Sequence, residues 1–90
     1  MAEDLEIRRK RLRYRSWHRG TKELDLVLGA FSDRHLGGLD PAQLDAYEAI
    51  LDADEHDIYG WLTGNRPVPV EHDNEVMAAI LEFRLSDEIK

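Results

Sequence analysis

Arg19, Gly20 and Glu23 are the residues whose types and spacing most suggest a purpose. Glycine tolerates backbone conformations that other residues avoid, so Gly20 suits a tight turn. An acid three residues later falls in the first turn of a helix starting there, where it complements the helix dipole. Arg19 is near enough to pair with Glu23. This local reading needs no ligand, and Arg-Gly-x-x-Glu as a bare pattern recurs often by chance.

Other residues with chemical potential lack the necessary company. His18, His35, His56 and His72 show no i, i+4 spacing on one helix and read as solvated side chains rather than zinc ligands. The acidic run from Asp52 to Asp57 invites a calcium loop. Such a loop needs glycine at its sixth position and glutamate at its twelfth, where the chain has Asp57 and Thr63. Acids gathered at a helix start explain the run better. Gly37-Gly38 has neither a preceding strand nor a following Lys-Ser/Thr, so it is no phosphate loop. Ser16, Ser32 and Ser86 have no context of a nucleophile, and there is no cysteine. No catalytic and no metal-binding residue is assigned, and an enzyme reading has nothing to rest on.

The elements that carry these residues must be small. Ninety residues make a single domain, 1–90, with a modest core. Residues 1–3 and 87–90 are expected to fray. Hydrophobic residues are 42% and charged residues 34% of the chain, a balance that suits a folded globule. The acidic start, Met1 to Glu6, is unlike a signal peptide, and no apolar run approaches the ~18 residues of a membrane span. A soluble cytoplasmic protein without membrane insertion is expected.

Charge is unevenly spread. Residues 1–22 hold eight Lys/Arg and three acids, or +5; the remainder holds four and sixteen, or −12. A basic helix interleaved with Tyr14 and Trp17 could touch nucleic acid. The overall charge of −7 opposes that, because most of the surface would repel phosphate. At this level three readings stay open: a solvated basic helix on an acidic body, a nucleic-acid contact, and a protein–protein adaptor.

Periodicity predicts an all-α bundle of about five short helices. The first runs from about Asp4 to Arg15, docking through Leu5 and Leu12 with Ile7 and Tyr14 to one side. Its arginines are expected to be exposed, their stems covering apolar surface, and Ser16 to Gly20 to break it. The second, from about Thr21 to Phe31 or Leu36, places Leu24, Val27, Leu28 and Phe31 on one face, and Gly37-Gly38 ends it. The third has the strongest start: Asp40 as N-cap, Pro41 at N1, Gln43 completing a capping box, and Leu39 with Leu44 as a staple. Leu44, Tyr47 and Leu51 continue its face to about Ala53. The fourth is capped by Asp54, buries Ile58, Trp61 and Leu62, and stops at Gly64. The fifth, about Asn74 to Ser86, carries Val76, Met77, Ile80, Leu81 and Phe83 on a wide face suited to a central position. Val68 and Val70 flank a proline and are poor strand candidates.

Set in its flanks, the pattern becomes specific. The run Arg11-Leu12-Arg13-Tyr14-Arg15-Ser16-Trp17-His18-Arg19-Gly20-Thr21-Lys22-Glu23-Leu24-Asp25-Leu26 resembles the signature of the succinate dehydrogenase flavinylation factors. These are called SdhE in bacteria and succinate dehydrogenase assembly factor 2 in mitochondria. The run Asp57-Ile58-Tyr59-Gly60-Trp61-Leu62-Thr63-Gly64 is similar to that family's second block, and the resemblance covers about residues 8–85.

The resemblance implies a non-enzymatic assembly factor. It would bind the flavoprotein subunit of succinate dehydrogenase, and in some bacteria that of fumarate reductase. It would promote covalent attachment of FAD to a histidine of that subunit, holding no cofactor firmly itself. Carry-over makes Arg19, Gly20 and Glu23 partner-facing, with Arg11, Tyr14 and His18 flanking them. Flavinylation needs the partner's histidine placed against the flavin methyl carbon, which a small bundle can favour by binding the competent conformation. Arg19 would then meet a partner carboxylate bidentately, Gly20 would allow close backbone approach, and Glu23 would accept from a partner donor or orient Arg19. On this view the charge asymmetry is an interface feature rather than a nucleic-acid footprint.

Overall fold

Side-chain caps set most of the helix starts. In the computed structural model, which describes residues 4–85, α1 spans Leu5–Trp17, and the Asp4 carboxylate accepts from the Glu6 N–H ahead of it. The second helix, α2, is Lys22–His35, followed by a 3-10 turn at Leu36–Gly38. Helix α3, Pro41–Leu51, begins with the full reciprocal box: Gln43 N–H to Asp40 at 2.8 Å, and Asp40 N–H to the Gln43 side chain at 3.0 Å. Helix α4, Glu55–Thr63, is capped by Asp54 and stopped by Gly64 at φ +81°. A second 3-10 turn, Val70–His72, leads to α5, Glu75–Arg84, capped by Asn74. The all-α expectation holds, and no strand occurs among the described residues. The expected fraying at 1–3 and 87–90 and the reach of the fifth helix to Ser86 lie outside those residues.

The core follows the apolar stripes. Leu12, Leu24, Leu28, Phe31, Leu44, Tyr47, Ile50 and Ile80 are fully enclosed. Phe31 sits near the centre, stacked on Tyr47 and edge-on to Phe83, each with ring centroids 5.7 Å away. Helix α5 packs against both α2 and α3, the central placement its wide apolar face implied. Trp61 is a core residue, only 8% exposed.

Helix α1 does not break at Ser16. The Ser16 hydroxyl donates to the Leu12 carbonyl at 2.8 Å and meets the Tyr47 hydroxyl at 2.5 Å inside the core. A residue that usually competes with helix is thus held within one. Trp17 also stays helical because its indole lies on α2 where Gly29 has no side chain; a Cβ at 29 would stand 2.2 Å from the ring. The break is confined to His18–Thr21.

Of the arginines of α1, Arg13 is exposed as expected, but Arg8, Arg9, Arg11 and Arg15 are half-buried and held by partners. Asp45, Glu48 and Asp52 form a ridge along α3 and its cap, spaced so that they share one face. Arg8 reaches Asp45 at 2.6 Å and Glu48 at 3.0 Å, Arg11 reaches Glu48 at 3.0 Å, and Arg15 reaches Asp52 at 2.8 Å. Arg9 donates to the carbonyls of Leu36 and Leu39, and Arg13 pairs with Asp33. Much of the charge asymmetry is therefore satisfied within the molecule. The Arg11 guanidinium, backed by Arg8, holds the Glu48 carboxyl below the ordinary glutamate value.

Candidate functional site: the corner between the first two helices

The corner exists because the chain must turn sharply between α1 and α2, which share the most extensive helix–helix interface. Gly20 makes the turn at φ +100°, a conformation costly for a residue with a Cβ. A side chain there would also stand 3.2 Å from a Glu55 carboxylate oxygen, so the start of α4 lies against the glycine.

Arg19 does not pair with Glu23. Its guanidinium donates to the Leu51 carbonyl at 2.5 Å and the Ala53 carbonyl at 3.1 Å. These belong to the end of α3 and the loop beyond it, where carbonyls lack helical partners and a cation complements the dipole. The Arg19 backbone N–H donates to Asp25 at 2.6 Å, so a first-turn acid of α2 fastens the corner from the other side. The Arg19 Nε is buried and lacks a hydrogen-bond partner. The fork expected to face a partner carboxylate is turned inward.

Glu23 points to a different neighbour. Its carboxylate accepts from Arg84, in the last turn of α5, at 3.3 Å. Lys22, Glu23, Leu26, Val27 and Arg84 line an open groove of about 510 Å³. Tyr14 is 66% exposed and stacks on His18, ring centroids 4.0 Å apart, with the His18 Nδ1 at 2.8 Å from the Tyr14 carbonyl. These two residues, with Lys10, Arg13 and Trp17, line another open depression of about 410 Å³. Arg11 belongs to neither, since it faces Glu48 on α3. The sequence-predicted residues thus divide into four settings: Arg19 and Gly20 form the turn, Tyr14 and His18 form a stacked pair, Glu23 lies beside α5, and Arg11 faces α3.

Three supporting residues escaped the sequence reading. Gly29, in mid-helix, carried a usable signal, because a glycine there costs helix stability and calls for a packing reason. Glu55 and Arg84 carried none, as each looks like an ordinary charge at a helix end. Of the other histidines, His35 and His56 are exposed as expected, although the His35 ring also contacts Phe31 and Phe83, whereas His72 is half-buried with its ring 5.1 Å from Trp61. No metal-ligating cluster occurs among the described residues.

These features define a small all-α domain whose distinctive residues gather at a fastened helix corner and in two open depressions. The model of a family described as flavinator of succinate dehydrogenase matches residues 10–84, and the chain belongs to that family. Relatives named succinate dehydrogenase assembly factor 2, mitochondrial, are similar over most of the chain. The protein from Aedes aegypti is 38% identical over 80 residues, covering 87% of this chain and 50% of the relative. That from Debaryomyces hansenii is 37% identical over 84 residues, covering 90% and 59%. That from Culex quinquefasciatus is 37% identical over 82 residues, covering 89% and 52%. The chain therefore spans between half and three-fifths of these relatives' lengths. No helix among the described residues is long and apolar enough to cross a membrane.

Proposed function

We propose that this protein is an assembly factor that binds the flavoprotein subunit of succinate dehydrogenase and promotes covalent attachment of FAD to it. The family match over residues 10–84 carries this reading, because the matched span includes the whole corner. The fumarate reductase flavoprotein, where present, is a second client of the same kind. The FAD belongs to the partner; this chain contributes shape and charge rather than a reacting group. It acts in the aqueous compartment where the flavoprotein subunit matures. For this chain we assign the cytoplasm, whereas the relatives are named mitochondrial.

Gly20, Glu23, Tyr14, His18 and Arg11 are assigned to the partner-facing surface. Gly20 allows close approach at the corner. Glu23 accepts from a partner donor, and the exposed Tyr14–His18 stack offers a flat amphipathic contact of the sort that anchors interfaces. Arg11 adds charge at the margin while bound to Glu48. Arg19 supports them all by holding the corner to the end of α3. A surface so fixed can favour the partner conformation in which its histidine faces the flavin, since differential affinity is what shifts a conformational equilibrium.

The test is co-expression of the flavoprotein subunit with this chain carrying Gly20→Arg or Glu23→Ala, reading covalent flavin by in-gel fluorescence. Loss of fluorescence with both is expected. Unchanged flavinylation with either would remove that residue's assigned role. Binding to nucleic acid, the competing use of the basic helix, is addressed by a gel shift at low salt, where no shift is expected.

A further inference from the structure

Glu23 is the motif residue whose position depends on the far end of the chain. It sits in the first turn of α2, whereas Arg84 lies 61 residues later in the last turn of α5. Their side chains meet at 3.3 Å across the groove floored by Leu26 and Val27, with Glu23 43% and Arg84 26% exposed. The better buried partner is the arginine. Its helix is anchored in the core by Val76, Met77, Ile80 and Phe83. The carboxylate is thus the freer member, held by a cation on a fixed support. Each Glu23 oxygen keeps lone pairs beyond the one Arg84 uses, so the carboxylate can still accept from another molecule.

We propose that Arg84 is a positioning residue for Glu23: it fixes the rotamer and orientation of the carboxylate at the groove edge, and so presents it to the flavoprotein subunit. This rests on the reading above that Glu23 is partner-facing. Holding a flexible side chain in its bound geometry lessens the ordering cost of association. The Arg84 side chain is itself part of the groove lining. A salt bridge serving stability alone would be an exposed pair of the weakest kind; one serving presentation affects binding more than folding.

A double-mutant cycle on the full chain tests this. Binding of the purified flavoprotein subunit and covalent flavin after co-expression are measured for wild type, Glu23→Gln, Arg84→Met and the double variant. Circular dichroism melts accompany each. Binding about tenfold weaker is expected for Glu23→Gln and for Arg84→Met, with little further loss in the double variant, because one residue acts through the other. Arg84→Lys, which keeps the cation, is expected to restore most of the binding. The exchanged pair, Glu23→Arg with Arg84→Glu, is expected to regain the melting temperature of wild type without regaining binding. Additive losses in the cycle, an unaffected Arg84→Met, or binding restored by the exchanged pair would each overturn the proposal. Should Arg84→Met unfold, the Arg84→Lys and exchanged-pair results still decide it. Wild-type protein that neither binds nor promotes flavinylation would instead refute the functional reading, a result distinct from all of these.

Discussion

The face between α1 and α3 and the corner between α1 and α2 are both rich in charge, yet they use it differently. On the first, Arg8, Arg11 and Arg15 converge on Asp45, Glu48 and Asp52, so opposite charges on neighbouring helices are largely consumed within the fold, and only the part-exposed Arg11 also reaches the margin of the assigned surface. At the second, Arg19 is turned inward onto carbonyls, while Gly20, Glu23 and the Tyr14–His18 stack remain accessible. Charge density alone therefore does not mark an interface. What distinguishes the corner is accessible polar and aromatic surface on a backbone that other residues hold rigid.

Substitutions can break that contrast in graded steps. Gly20→Arg should have the largest effect. It places a side chain at φ +100° and against Glu55, a strain of about 1–3 kcal/mol, and it also obstructs the assigned surface. Covalent flavin should fall to background, and the thermal midpoint should drop as well. Gly29→Ala should destabilise by about 1–3 kcal/mol through overpacking, because the new methyl must displace the Trp17 indole. A melt would show it, and loss of flavinylation in proportion would confirm that Trp17 seats the corner.

Tyr47→Phe comes next, at about 1–2 kcal/mol, since it removes a buried hydroxyl bonded to Ser16 and to the Leu28 carbonyl. Burial raises this phenol's pKa, so no ionisation of Tyr47 enters near neutral pH. The smallest effect is expected for Glu48→Gln, about 1 kcal/mol after solvent screening of its pairs with Arg8 and Arg11. Its sign with pH is definite. The folded-state pKa of Glu48 is lowered, so its contribution is full above the ordinary glutamate value of 4.5 and disappears as pH falls through the folded value. The gap in melting temperature between wild type and Glu48→Gln should be widest near neutrality and close in acid. A gap that widened on acidification would contradict the pairing.

The helices were legible where local chemistry decides them. Asp40-Pro41 with Gln43 names its own cap, and the Leu24, Val27, Leu28, Phe31 stripe names its own face. The end of α1 was not legible, because Ser16 and Trp17 stay helical only through Tyr47 and Gly29, contacts that no local window contains. The arginine-rich helix misled in the same way: exposed and paired arginines look alike until the acidic ridge of α3 is placed beside them. Of the candidate site, Gly20's turn could be read from residue type. Arg19's inward fork and Glu23's bond to Arg84 depend on where α3 and α5 end, 32 and 61 residues further along the chain.

The most direct test compares the two regions in one assay. The flavoprotein subunit is co-expressed with Glu23→Gln or with Glu48→Gln, and covalent flavin and melting temperature are measured for both. We expect Glu23→Gln to lose most covalent flavin with its melting temperature nearly unchanged, and Glu48→Gln to melt earlier yet keep its flavinylating activity. If Glu48→Gln abolished flavinylation while Glu23→Gln left it intact, the corner would not be the docking surface.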